Sequence, residues 1–292
     1  MNESALIHAD GCVLAAVDAS AYATSVADYA GWAAARLSAP LELLRTLEKG
    51  VSAPVVDLSG NIALGTQEAL LAELAELDAR RMTLAQEQGR ALLDGLRRRL
   101  AEEQGVSAEV RQRHGGPVEA LLDLEPGVRL FVIGKRGEHA DFARGHLGSN
   151  LERVLRAVHR PVLVAAREFS VPTRFVIAFD GSATTRRCVE MVCASPLLAG
   201  LACHVVTAGD PTPALQGHLD WARDRLRVAG FAADIHVEQG DAETVIARRV
   251  ESLHADLLVA GAYGHSRIRS MILGSTTTQL LRQCQVPVLL LR

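Results

Sequence analysis

Three glycines and the hydroxyls behind them carry the most suggestive chemistry in this chain. Gly261, Gly264 and Gly274 are spaced G-x2-G-x9-G in the stretch GAYGHSRIRSMILGSTTTQ, with Ser275 and Thr276 immediately after the last. The stretch leaves an apolar run, Ala255 to Ala260, that reads as a buried strand, and it ends where a helix is expected to open at Ser275. A helix start offers free backbone N–H groups and the positive end of the helix dipole. A glycine before it lets an anion come close to the backbone. Ser275, Thr276 and Thr277 add donors without bulk, Gly261 and Gly264 clear space that suits a ribose, and Arg267 and Arg269 could screen phosphate charge. The same residues also fit an ordinary turn in which Ser275 caps the helix. The loop is neither a Walker A motif nor GxGxxG.

An internal repeat supplies the second wall of a possible site. CVLAAVDAS (Cys12–Ser20) matches RFVIAFDGS (Arg174–Ser182), LFVIGKRGEHADFARGHLGSN (Leu130–Asn150) matches LLVAGAYGHSRIRSMILGSTT (Leu257–Thr277), and HRPVLVAAR (His159–Arg167) matches QVPVLLLR (Gln285–Arg292). The order is the same in both halves, so the chain is a duplication, divided into domains at 1–168 and 169–292. Asp18 and Asp180 are 162 residues apart, but Gly134 and Gly261 only 127 apart, so the first copy holds 35 extra residues. Residues 67–104, with Leu70, Leu74, Leu77, Leu84, Leu92, Leu96 and Leu100 at helical spacing, account for them. They are expected to form a long amphipathic helix, or a helical pair bent or broken at Gly89 or Gly95, packed on the sheet.

These residues need elements to position them, and the pattern gives strand and helix in alternation. In the second copy, strands are expected at Phe175–Phe179, Ala202–Thr207, Ala232–Val237, Ala255–Ala260 and Pro287–Leu291. Helices are expected near Thr184–Leu198, Pro213–Ala229, Ala242–Leu253 and Ser275–Cys284. Near-continuous apolar strands alternating with helices predict an α/β fold with a parallel sheet covered on both faces. Such sheets bind ligands beyond the carboxyl ends of the strands, where strand order reverses. Asp180 and Gly261 lie at two such ends and are expected to meet.

Composition narrows the function classes. At 292 residues and 49% hydrophobic, the chain can build two cores. A net charge of −3 offers no global polycation for nucleic acid or lipid, and 4% aromatic content leaves few stacking platforms for single strands. The run Arg97-Arg98-Arg99 reads as a solvated helix face. No apolar run approaches the roughly 18–20 residues a membrane span needs, and MNESALIHADG lacks the marks of a signal peptide. The five cysteines contain no CxxC pair and read as reduced, buried thiols of a cytoplasmic protein. His139, His146 and His265 have no obvious metal-ligand partners, and neither Ser20 nor Ser182 has a histidine base nearby.

The combination of an early strand ending Asp-Gly-Ser, a late strand entering G-x2-G-x9-G-S-T and a terminal Val-Pro-Val-Leu-Leu-Leu strand resembles the universal stress protein family, in tandem form. The resemblance implies two Rossmann-like domains of the adenine nucleotide alpha hydrolase-like kind, each a mostly parallel five-stranded sheet with helices on both faces. In one subset of the family it also implies bound ATP, expected with Mg²⁺. Carried onto this sequence, Asp180 would lie beside the adenosine with Ala178 two residues earlier, and Val205 would offer its backbone to the adenine edge. Gly261 and Gly264 would flank ribose and phosphates, and Gly274, Ser275 and Thr276 would hold the triphosphate. Read by their chemistry alone, Asp180 is also a loop-closing carboxylate and Val205 also a core residue.

The first copy departs from the pattern. Asp18, Gly134 and Gly137 are kept, but ten residues separate Gly137 from Gly148, and Ser149 leads to Asn150. Lys135 and Arg136 stand between the first two glycines, where they could grip phosphates, fill the pocket or form a solvated basic turn, and the adenine-edge position falls near Thr46. Nucleotide is therefore expected mainly in the second copy. ATP occupancy would order Gly261–Gly274 and present a surface to an unknown protein partner. The alternatives are a nucleotide-free scaffold acting through protein contacts, and a slow ATPase or self-phosphorylating protein with Ser275 or Thr276 as acceptor. The resemblance also implies that the strands Pro161–Ala165 and Pro287–Leu291 pair or pack between the copies, as such strands mediate dimers in the family, giving an internal pseudo-dimer with room for a further homodimer.

Overall fold

A computed structural model describes residues 7–47, 64–137, 148–262 and 274–292, with backbone alone at 64–71 and 149. The first copy runs β1 (Cys12–Ala16), α1 (Ala23–Leu37), β2 (Leu41–Leu47), α2 (Leu64–Gln104), β3 (Ala108–His114), α3 (Pro117–Leu124), β4 (Val128–Gly134), α4 (Ser149–Ala157) and β5 (Val162–Ala165). The second repeats the order as β6 (Arg174–Ala178), α5 (Ala183–Ala194), β7 (Ala202–Ala208), α6 (Pro213–Val228), β8 (Ala233–Glu238), α7 (Ala242–Ser252), β9 (Leu257–Gly261), α8 (Ser275–Gln283) and β10 (Val288–Leu291).

Among the described residues, ten strands join one sheet in the order β3-β2-β1-β4-β5-β10-β9-β6-β7-β8. Pairing is parallel within each copy, as the buried, β-branched strands require. The seam is antiparallel: Leu163 faces Leu289 and Val164 faces Val288, so the two terminal strands do pair between the copies. Alternation along each strand sends side chains to two layers. Val13, Ala15, Leu163 and Leu289 pack under α1, α2, α5 and α6, while Leu14, Phe131, Val164 and Val288 pack under α3, α4, α7 and α8. Each core draws residues from both copies. Among the described residues, no helix is long and apolar enough to cross a membrane.

Two elements depart from expectation for identifiable reasons. The helix expected to reach Leu198 stops at Ala194, because Pro196 disfavours helical backbone at Ser195, which adopts φ −107° and ψ 135°. A 3₁₀ turn, Pro196–Leu198, follows. The 41-residue α2 is one helix, unbroken at Gly89 and Gly95. Only its C-terminal part packs: Leu93, Leu96 and Leu100 are core residues, whereas Leu74, Leu77 and Leu84 are exposed. A helix of that length extends about 60 Å, far beyond the roughly 23 Å of a seven-residue strand such as β2.

The copies also exchange polar contacts across the seam. The last carbonyls of a helix lack intrahelical partners and attract cations. Val158 caps α4, and its carbonyl accepts from the Arg292 guanidinium. Cys284 caps α8, and its carbonyl accepts from Lys135 Nζ. Arg36 on α1 donates to the carbonyls of Leu197 and Ala199.

Candidate functional site

In each copy the strand order reverses between the first and fourth strands, β1 beside β4 and β6 beside β9. Asp18 follows the carboxyl end of β1 and Gly134 closes β4, so both lie at the switch point where such sheets bind ligands. A cavity of about 500 Å³ opens there, within the range of small-molecule sites. Asp18, Gly134, Gly137 and Gly148 all line it, with Tyr22, Arg136 and Thr46. Gly134 and Gly137 leave little space for a side chain. A Cβ on Gly134 would stand 2.9 Å from Tyr22 Cβ, and one on Gly137 would stand 3.0 Å from Asp18 Oδ2. Asp18 also closes its own turn, accepting from Ser20 N at 3.0 Å.

Gly148 is the residue before α4, held by its N–H on the Lys135 carbonyl at 3.3 Å, and no side chain caps the helix. Gly274 takes the same place before α8, again with no side-chain cap. Ser275 is therefore the first helical residue and not the cap, a correction to the turn-capping reading. Elsewhere the chain does use side chains: Ser182 caps α5 and Thr212 caps α6. Thr277 is buried, and its hydroxyl donates to the Gly261 carbonyl at 2.9 Å, tying the first turn of α8 to the end of β9. Thr276 lies half-buried one residue earlier. Ser149 occupies the first turn of α4.

Asp180 behaves as a loop-closing carboxylate: its Oδ1 accepts from Ser182 N at 2.9 Å and from Thr185 Oγ1 at 2.7 Å. Ala178 ends β6, buried against the second core. A Cβ on Gly261 would stand 2.8 Å from Thr184 Cγ2, so β9 and α5 approach through this glycine. Gly264, Arg267, Arg269, His139, His146 and His265 lie outside the described residues.

Register alters the adenine-edge assignment. Val17 N donates to the Leu44 carbonyl and Phe179 N to the Val206 carbonyl, which makes Leu44 and Val206 equivalent. Val205 then matches Leu43, and Thr46 matches Ala208. Val205 is fully buried in a ladder between Ile177 and Ile235. Backbone free of β6 begins only at Thr207 and Ala208, which pair with β8 alone.

The two basic residues of the first turn part company. Arg136 lines the cavity, whereas Lys135 turns away to the Cys284 carbonyl. Burial, with Arg136 adding to it, lowers the Lys135 pKa to about 8 against an opposing pull from Cys284, whose own thiol burial pushes up to about 11. Cys188 and Cys203 are likewise pushed up to about 12 by burial, which keeps them thiols. Cys12 and Cys193 are only half-buried, unlike the uniformly buried set expected. Arg97 pairs with Asp94 and Arg99 with Asp28 and Glu103. Among the described residues, no group of three His, Cys, Asp or Glu side chains could hold a metal ion. Sequence reasoning missed Arg45, Tyr22, Gln88 and Pro117, all of which line the cavity. The signals were a charge inside the apolar run of β2 and a proline after Gly115-Gly116.

The universal stress protein family matches residues 12–166 and 173–292. Universal stress protein Slr1230 of Synechocystis is 36% identical over 284 residues, covering 96% of this chain and 99% of that protein. A universal stress protein of Mycolicibacterium smegmatis is 26% identical, covering 96% of each. The crystal structure of a universal stress protein from Archaeoglobus fulgidus superposes with a TM-score of 0.68 at 20% identity, over 96% of this chain and 98% of that one. This chain belongs to the universal stress protein family. Its two repeats make it a tandem member of that stress-response family, with the Rossmann-like α/β fold.

Proposed function

We propose that this chain is a stress-response regulator that binds adenine nucleotide, ATP with Mg²⁺, at the carboxyl edge of its sheet. The observation that carries the reading is the cavity of about 500 Å³ between Asp18 and the first glycine loop. The residues fit the ligand. Gly137 and Gly148 line the cavity without side chains, and the helix behind each loop starts without a side-chain cap, leaving amides for an anion. The second copy keeps G-x2-G-x9-G-S-T, and there Asp180, Gly261, Gly264, Gly274, Ser275 and Thr276 would hold the nucleotide most tightly, with Thr207 and Ala208 beside the base and Val205 supporting from the core. In the first copy Asp18, Gly134, Gly137, Gly148 and Ser149 would do so more weakly. ATP would bring Mg²⁺ on its own phosphates. A second reading, a scaffold acting through protein contacts, is favoured by Leu74, Leu77, Met82 and Leu84, exposed along α2.

Thermal melting with added ATP and Mg²⁺ tests the first reading. Saturation at 100 times Kd stabilises by about 2.7 kcal/mol, a shift of a few degrees for a chain of this size. Gly274→Val is expected to remove most of it and Gly137→Val a smaller part. No shift at millimolar ATP in the wild-type chain refutes nucleotide binding and leaves the scaffold reading standing.

A further inference from the structure

Arg45 is a charge within LELLRTL, the otherwise largely apolar β2, and the residue is only 8% exposed. It shares strand parity with Leu41 and Leu43, which face α1 and α2. Gly89 of α2 makes room for it, since a Cβ there would stand 3.3 Å from Arg45 Cδ. The other buried charges have partners: Asp28 pairs with Arg99 and Glu42 with Arg111. Arg45 has neither a hydrogen bond nor an ion pair among the described residues, and it lines the first-copy cavity beside Thr46 and Gln88. No guanidinium nitrogen of Arg45 is sealed from solvent, so the charge opens onto the cavity, where a ligand anion would pair with it.

The cavity has a second positive end. Gly148 and the uncapped start of α4 lie at the β4 side, and β1 separates β2 from β4. Two strand spacings separate those ends by roughly 10 Å along the sheet, and Arg45 stands on the α1–α2 face while α4 stands on the opposite one, so a ligand must cross the carboxyl edge to reach both. We propose that the first-copy cavity takes a nucleotide bearing a second anionic group, on its ribose or on a second nucleotide unit, and that Arg45 binds that group while Gly137, Gly148 and the start of α4 bind the 5′-phosphate. This rests on the nucleotide reading above. The register-equivalent residue of the second copy is Thr207, a buried hydroxyl without a hydrogen-bond partner among the described residues, so this position carries no cation in the second copy. The two copies then differ in the class of nucleotide they accept.

The test uses the full chain carrying Gly274→Val, which leaves the first copy as the open site, and titrates AMP and adenosine 3′,5′-bisphosphate calorimetrically. The bisphosphate is expected to bind at least about tenfold more tightly, the scale of one charge-assisted pair. Arg45→Gln should bring that ratio to about one, and Arg45→Lys should keep most of it. Ligand-free Arg45→Gln should melt close to the parent temperature, because it removes no hydrogen bond or ion pair of the described residues. Equal binding of the two ligands overturns the inference while nucleotide binding stands; binding of neither overturns both for this copy. GMP binding more tightly than AMP, with the preference lost in Arg45→Gln, assigns Arg45 to a base edge and overturns the second-anion proposal. A lowered melting temperature for both Arg45 variants makes the residue a structural support and overturns it as well.

Discussion

Lys135 and Arg136 are neighbours in one turn, yet one is committed to the seam and the other to the cavity. That division has a measurable consequence. The folded-state pKa of Lys135, about 8, lies below the ordinary 10.5 because burial disfavours the charged form. Between those values the unfolded chain binds more protons than the native one, so this residue makes stability rise with pH across that window. Relative to Lys135→Met, the wild-type chain is expected to gain stability from pH 8 to 10, by at most about 1.4 kcal/mol per pH unit. Urea unfolding of the pair at pH 7, 8, 9 and 10 checks it, and a pH-independent difference counts against the assignment. The sequence revealed Asp18, Gly134 and Gly137 because duplication printed the same spacing twice. It did not show that Val205 is laddered on both sides, because parallel register depends on partners far away in the chain, Ile177 and Ile235.

At the scale of the element, α2 shows what hydrophobic periodicity can and cannot say. Leucines at helical spacing correctly gave a helix, but Leu77 and Leu96 have the same pattern around them and opposite burial. The difference comes from the sheet, which ends long before the helix does. The two glycines differ likewise. A Cβ at Gly95 meets nothing within 4 Å, while at Gly89 it would strike the Gln112 side chain, which donates to the Gln86 carbonyl at 3.2 Å. Gly95→Ala is therefore expected to stabilise by about 0.5–1 kcal/mol. Gly89→Ala should gain less or lose stability, because Gln112 and Arg45 must shift. Chemical denaturation of both variants decides it, and equal gains would contradict the close packing of α2 on β3. The end of α5 was legible in principle, since Pro196 stood in the sequence.

For the whole molecule, the decisive feature is that both cores run through the seam. Leu163 and Leu289 share one layer, Val164 and Val288 the other. The halves should therefore unfold together. The chain holds two tryptophans, Trp32 in α1 and Trp221 in α6, one per copy. Single-tryptophan variants Trp32→Phe and Trp221→Phe report each half separately, and their fluorescence transitions, each set against the far-ultraviolet dichroism of the same variant, are expected to coincide. Separate midpoints within either variant would mean that the copies fold independently. The repeat order was readable from the sequence because the matching segments recur in the same order, whereas the expectation that the terminal strands pair or pack between the copies came from the family resemblance.

The antiparallel seam also changes what variation can do. Two identical subunits joined through such strands are related by a two-fold axis, so every substitution appears in both at once. Here one polypeptide supplies both sides, which fixes their stoichiometry and raises their effective concentration beyond dilution. The chain is in this sense an obligate heterodimer encoded as a single molecule. Arg45 can enter one half while Thr207 stays in the other, and Lys135 can reach across while its counterpart Ala262 remains buried and uncharged. Fusion thus frees the two halves to specialise without risking mispaired assemblies.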